Sequence, residues 1–200
     1  GRGVRTIIEM VNHTRLDCLA GSAGLIRSAA AHAVWHAERR SAFQRRLIDQ
    51  PLMREVLAEL GLEAEAAIAL AFRVAESFDK AHDDPHEAGL ARLLTPIAKY
   101  WICKRAPYIA YEAMEAHGGA GYVEEHPLPR MFRQSPLNAI WEGSGNVIAL
   151  DVLRALSRDA AARDALSAEL DAVRGTYAAL DARMDALAAM MKTGVGEADA

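Results

Sequence analysis

Between Asn12 and Glu38 the apolar residues Leu16, Leu19, Ala20, Ala23, Ile26, Ala30, Val34 and Ala37 return at helical steps, with Asn12 or Thr14 as candidate N-cap. Gly21, Ser22 and Gly24 interrupt this stripe, and residues that small allow either close helix packing or close approach of a ligand to the backbone. An arginine-rich connector from Arg39 to Arg46 ends the pattern. Pro51, suited to a first helical turn, opens a second run through Leu52, Val56, Leu57, Leu60, Ala64, Ala67, Ile68, Ala71 and Val74 to about Phe78. A third follows Asp83-Asp84-Pro85 and carries Leu90, Leu93, Leu94, Ile97, Trp101, Ile102 and Ala106, with Pro96 and Pro107 predicting kinks or a boundary. Gly118-Gly119-Ala120-Gly121 stops it. From Tyr122 to Ile140, Pro127, Pro129 and Pro136 predict a loop with at most a short helix. A fourth helix is expected from near Ser144 towards Leu156, and a last one from about Ala160 to Met191 before a polar tail. Long helices with short connections predict an all-α, up-and-down four-helix bundle with an additional C-terminal helix.

Composition narrows this picture. The 200 residues are 52% hydrophobic and 6% aromatic, with alanine prominent, which suits one sizeable helical core and disfavours an all-β fold. No apolar stretch reaches the ~18 residues of a membrane span, and Gly1-Arg2-Gly3 does not begin the apolar core of a signal peptide, so a cytoplasmic location is expected. The start without methionine predicts a piece of a longer chain. Cys18 and Cys103 lie far apart within apolar helical patterns and read as two buried thiols in a reducing compartment. A net charge of -4 argues against a general polyanion binder.

Several groups could carry chemistry. His32 and His36 stand one helical turn apart, a spacing at which imidazoles can share a metal, but no further ligands are specified and surface or interface histidines are the expected reading. His117 is expected to be a loop residue rather than a general base. The glycines at 118 to 121 close a helix instead of opening one after a strand, which excludes a dinucleotide-binding fingerprint and leaves a C-cap or a turn whose amides could meet a phosphate or ribose. The arginines around Phe43 are either solvated charge or a pyrophosphate site with an aromatic platform. In Ile140-Trp141-Glu142-Gly143-Ser144-Gly145-Asn146, a carboxylate follows two apolar residues. It is either a partly desolvated base or a residue beside a helix N-terminus capped by Ser144.

Taken in order, Arg15, Arg40-x-x-Phe43, Gly118-Gly119-x-Gly121 and Trp141-Glu142-Gly143-Ser144 resemble the C-terminal helical domain of the acyl-CoA dehydrogenase family of flavoproteins, over residues 5–157. Residues 158–200 would form an additional helix and polar tail. Leu16-Asp17-Cys18, Gln50-Pro51-Leu52-Met53-Arg54, Ala98-Lys99, Cys103-Lys104-Arg105 and Trp141 to Asn146 look closest to the DNA alkylation-response (AidB-like) branch.

The resemblance implies that Glu142 is the base removing the α-proton of an acyl thioester while FAD accepts the β-hydride. The thioester carbonyl would be polarised by a flavin ribityl hydroxyl and the backbone N–H of the base residue. Arg40 and Phe43 match residues contacting the adenine-diphosphate part of FAD in a neighbouring subunit, and Gly118 and Gly119 approach the same cofactor. Ser144 and Asn146 match flavin-contacting side chains, Arg15, Trp141 and Gly143 line the substrate cavity, and no metal is implied. Glu115 stands where a cofactor-facing glutamine is more usual, Gln44 replaces a usual glycine, and Asn146 is shorter than the usual glutamine. Expected partners are an acyl-CoA, an electron-transfer flavoprotein or another electron acceptor, and further copies in a homotetramer, a dimer of dimers. Catalysis would also require an amino-terminal helical domain and a middle β domain, so the fragment alone is expected to be inactive.

A second class of function is a domain of an alkylation-response flavoprotein acting in DNA protection or detoxification with weak dehydrogenation. From Asp151 onwards Arg154, Arg158, Arg163, Arg174, Arg183 and Lys192 are outnumbered by Asp and Glu, so this portion lacks a basic DNA-binding stripe.

Overall fold

A computed structural model of the chain describes residues 3–194, apart from the side chains of residues 4, 5, 8, 9 and 192–194. Gly1-Arg2, the Lys192 side chain and the end of the expected polar tail lie outside the described residues. Helix α1 (Gly3–Arg39) starts well before Asn12. Thr14 does not cap it: its hydroxyl donates to the carbonyl of Val11 at 3.0 Å, within the helix. The connector is a miniature antiparallel hairpin, β1 (Ser41–Ala42) with β2 (Arg45–Arg46), followed by a 3-10 turn at Leu47–Asp49. Helices α2 (Pro51–Lys80) and α3 (Pro85–Ala116) follow, and neither Pro96 nor Pro107 breaks α3.

The expected loop from Tyr122 to Ile140 is more ordered than its prolines suggest. It holds α5 (Pro127–Gln134) and α6 (Leu137–Ile140), and just before it the glycines that close α3 also open a single turn of helix, α4 (Gly119–Tyr122), where only a stop was expected. Pro127 sits at the start of α5, where its missing N–H has no intrahelical partner to lose, and the His126 ring accepts from Leu128 N. Helix α7 (Gly145–Arg158) matches the fourth predicted helix. The last run is two helices, α8 (Ala160–Asp171) and α9 (Ala178–Gly194), where one was expected. Gly175 takes φ +83° between them, its N–H donates to Asp181, and Arg174 pairs with Asp171 and Asp185 at 3.1 and 2.9 Å. The apolar periodicity of alanine and leucine runs straight through this turn and conceals it.

The chain folds as two compact units, Gly1–Arg73 with Ala98–Gly145, and Val74–Ile97 with Asn146–Ala200. In α3 the division falls directly after Pro96 and Ile97. The first unit buries Leu19, Ile26, Leu60, Ile102 and Ile109 among Ala23, Ala33, Ala67, Ala106, Ala110 and Ala113, and short side chains of this kind let helix axes approach closely. The second buries Val74, Leu90, Leu93, Ile148, Leu166 and Met184. Within it α8 packs on α3 at Gly89, where a methyl group would stand 3.2 Å from the Ala161 carbonyl oxygen, and Arg92 pairs with Asp151 at 2.8 Å.

Candidate active site

All of the geometry around Glu142 lies in the first unit. Helix α6 ends at Ile140, Trp141 is extended, and the chain then reverses through Glu142 at φ +57° and Gly143 at φ +110°. A glutamate in the left-handed region costs about 1–2 kcal/mol, so neighbouring groups must hold it there. Arg15, 8% exposed on α1, donates from Nε to the Glu142 carbonyl oxygen at 3.0 Å. Lys99, 1% exposed on α3, donates from Nζ to the Gly143 carbonyl oxygen at 2.9 Å. Asn138 of α6 secures the entrance to the turn. Its Nδ2 donates to the Cys18 carbonyl at 3.3 Å and to Ser22 Oγ at 3.1 Å, while its Oδ1 accepts from Trp141 Nε1 at 3.0 Å. Ser22 in turn donates to Cys103 Sγ at 3.4 Å. Ser22 is therefore buried as part of a polar network, while Gly21 makes only ordinary contact with Asn138.

Burial sets the charge state of this network. It pushes the Cys18 thiol up to about 11 and the Cys103 thiol upward as well, which keeps both protonated, and it pulls the Lys99 ammonium downward. Both cysteines are free and buried, as the apolar pattern predicts. Glu142 and Gly143 are half-buried, whereas Trp141 and Ser144 are exposed. Asn146, in the first turn of α7, is also exposed.

A second group forms at the far end of α1. At about 1.5 Å rise per residue, Arg39 lies roughly 36 Å along the helix from Arg15, so Arg40 and Phe43 cannot join Glu142 in one pocket. Phe43 and Gln44 form the two-residue hairpin tip at φ +53° and +66°, and the Phe43 ring is 94% exposed. Such tips favour asparagine and glycine, so both residues hold their conformation at a cost. Arg40 is exposed beside the hairpin. Of the other arginines, Arg39 stacks over Trp35 at 4.5 Å and Arg46 pairs with Asp49 at 3.2 Å.

Nearby, Gly118 takes φ +61° after α3, and added methyl groups at Gly118 or Gly119 would meet nothing within 4 Å. This exposed backbone borders four clustered histidines. His36 stacks on His117 with ring centroids 4.3 Å apart, His117 lies 4.7 Å from His126, and His126 lies 5.5 Å from His32. His117 lies in the turn after α3, as expected of a loop residue, but it is buried, and its Nδ1 bonds the Ala113 carbonyl at 2.7 Å on the last turn of α3. Among the described residues no three His, Cys, Asp or Glu side chains are placed to hold a metal ion. Glu115 is exposed and takes the Tyr111 hydroxyl, raising that phenol's pKa.

The histidines give the fold an acid limit. Burial lowers the pKa values of His36, His117 and His126, with further lowering of His36 by Arg40 and of each ring by neighbouring histidines. Unfolded imidazoles titrate near pH 6.5. Below that value the unfolded chain binds more protons than the folded one, so stability present at neutral pH falls as pH drops through the folded values. Thermal unfolding is expected at lower temperature at pH 5 than at pH 7, and His117→Gln should flatten this dependence. An unchanged slope in that variant would exclude His117 as a source.

Lys99, Asn138 and Ser22 were absent from the sequence-level candidates for this site. Lys99 did leave a signal: it is a lone cation within the apolar run from Leu93 to Cys103. Ser22 stands out in the sequence only as a small residue in an apolar stripe, and Asn138 not at all, since only the folded helices bring them together.

Residues 1–157 match the family model for the acyl-CoA dehydrogenase C-terminal domain. The chain is 49% identical over 88% of its length to a putative acyl-CoA dehydrogenase, AidB, of Escherichia coli K12, of which it covers 32%. Among solved structures, an apo-form of Bd2924 superposes with a TM-score of 0.86 at 32% identity, over 99% of this chain and 41% of that one. The Caenorhabditis elegans ACDH-11 complex with C11-CoA gives 0.84 at 29% identity, over 96% of this chain and 34% of that one. The chain thus spans about a third of the first of these relatives. A helical scaffold that carries Trp141-Glu142-Gly143 on a clamped turn, together with these likenesses, places the chain in the acyl-CoA dehydrogenase family, as its C-terminal domain.

Proposed function

We propose that the chain is the base-bearing, FAD- and acyl-CoA-contacting domain of an oligomeric acyl-CoA dehydrogenase. The observation carrying this reading is the left-handed turn at Glu142, held by buried cationic side chains on both following carbonyl oxygens. Glu142 takes the α-proton of the acyl thioester and retains it on its carboxylate. Its backbone N–H, which no backbone carbonyl of the described residues takes up, is available to polarise the thioester carbonyl. Trp141 and Ile140 present apolar surface that shields the reacting carbons from water. Bound FAD supplies the acceptor for the β-hydride, so that the product is a trans-2-enoyl thioester.

The residues at the far end of α1 fit the adenosine diphosphate part of FAD. Arg40 offers an exposed cation, Phe43 an exposed ring, and Gly118-Gly119 a backbone with open space beside it. Lying roughly 36 Å along α1 from Arg15, they are assigned in this reading to the cofactor of another subunit, with oligomerisation, as a homotetramer, part of cofactor binding. Ser144 and Asn146 are assigned to the flavin, and Glu115 to the cofactor-facing position beside Tyr111. Electrons pass to an electron-transfer flavoprotein or a comparable acceptor, in a cytoplasmic setting.

The test is the absorbance spectrum of the full-length protein, recorded without oxygen before and after addition of a panel of acyl-CoAs. A yellow protein bleached by at least one of them, with enoyl-CoA formed, is the expected result. A protein without flavin, or a flavin that no acyl-CoA reduces, would overturn the proposal.

A further inference from the structure

Lys99 is costly for the fold to keep. Its ammonium is almost wholly buried, its hydrogen bond goes to a neutral carbonyl, and no carboxylate pairs with it among the described residues. The groups acting on its charge are the Cys103 and Cys18 thiols, Arg15 and Glu142. Removing an ammonium from water without a counter-ion opposes folding, and one bond to a carbonyl does not offset the loss. Packing makes no special demand for the lysine, since methionine has a similar unbranched stem and adapts to irregular space. What the ammonium alone provides is a fixed donor on the carbonyl that follows Glu142, at a turn that a non-glycine residue adopts only under constraint.

We propose that Lys99 is a positioning residue for Glu142. With Arg15 on the preceding carbonyl, it holds the Trp141-Glu142-Gly143 turn in the left-handed form that aims the carboxylate, at the expense of fold stability. The role rests on Glu142 being the base. A loosened turn leaves the substrate-binding surface largely intact but spreads the carboxylate over unproductive positions, and small misplacements of a reacting group slow chemistry steeply.

The test uses the full-length flavoprotein with Lys99→Met, Lys99→Arg and Glu142→Gln. In Lys99→Met, kcat for flavin reduction by acyl-CoA is expected to fall by about tenfold or more, with KM within about threefold and flavin content unchanged. The melting temperature should equal or exceed that of the parent, because a buried charge has been removed. In the flavin-free protein, the emission assigned to Trp141 by difference from Trp141→Phe should move to longer wavelength. Lys99→Arg, which restores charge and donor, should recover part of kcat. Parental kcat and Trp141 emission in Lys99→Met overturn the role, as does a loss of folding in which flavin, KM and kcat all deteriorate together. If Glu142→Gln still permits reduction, the base assignment falls and this role falls with it. If Glu142→Gln abolishes reduction and Lys99→Met does not slow it, only the role of Lys99 falls.

Discussion

Glu142→Gln in the full-length flavoprotein is expected to slow flavin reduction by acyl-CoA by about 10³-fold or more while leaving flavin content and melting temperature unchanged. The magnitude follows from losing a positioned general base, worth about 10²–10⁴-fold. The specificity follows from the geometry. Arg15 and Lys99 bind carbonyl oxygens of the turn and not the carboxylate, so an amide of nearly the same shape leaves both bonds in place. The backbone strain at φ +57° is the same for either side chain. Rapid-mixing absorbance would separate the step from binding, and reduction at the parental rate would remove Glu142 from the mechanism.

Gly121→Ala is expected to destabilise the fold by about 3 kcal/mol, at the upper end for overpacking, and to lower the melting temperature by roughly 10 °C. A methyl group on Gly121 would lie 2.3 Å from the Met114 carbonyl oxygen and 2.8 Å from His117 Cβ. The first obstacle is backbone, so no rotamer change relieves it, and α4 must separate from the end of α3. The matched change Gly119→Ala places its methyl group in open space and should be close to neutral for folding. Calorimetry of the two variants checks the contrast; equal melting temperatures would show that α4 does not pack as described.

The long helices were legible because their apolar residues recur over many turns, so one local interruption cannot erase the signal. Their ends were not. Thr14 resembles a cap in sequence but bonds inside α1, and Gly175 breaks a run whose apolar period continues on both sides. The prolines read unevenly: α3 continues through Pro96 and Pro107, as its apolar residues predict, with the division between the two units just beyond Pro96, while Pro127 starts a helix in a segment expected to be mostly loop. For the candidate site, Arg15 is named, and Glu142 chosen as the base, only through family resemblance; what the fold adds is that Arg15 Nε donates to the Glu142 carbonyl oxygen. The histidine cluster was only half visible. His32 and His36 share a helical face, but His117 and His126 reach them through folding across three segments.

Because α1 bears Arg15 near one end and leads into the Arg40-Phe43 hairpin at the other, it acts as a gauge as well as a packing element. Inserting one residue between them would rotate everything beyond it by about 100° and advance it by about 1.5 Å, so the hairpin would lose its bearing relative to the Glu142 turn. A seven-residue insertion would nearly restore the bearing but lengthen the gauge by roughly 10 Å. If both ends of α1 serve cofactors as proposed, the residue count between them is constrained by the spacing of those sites, independently of which side chains cover the helix.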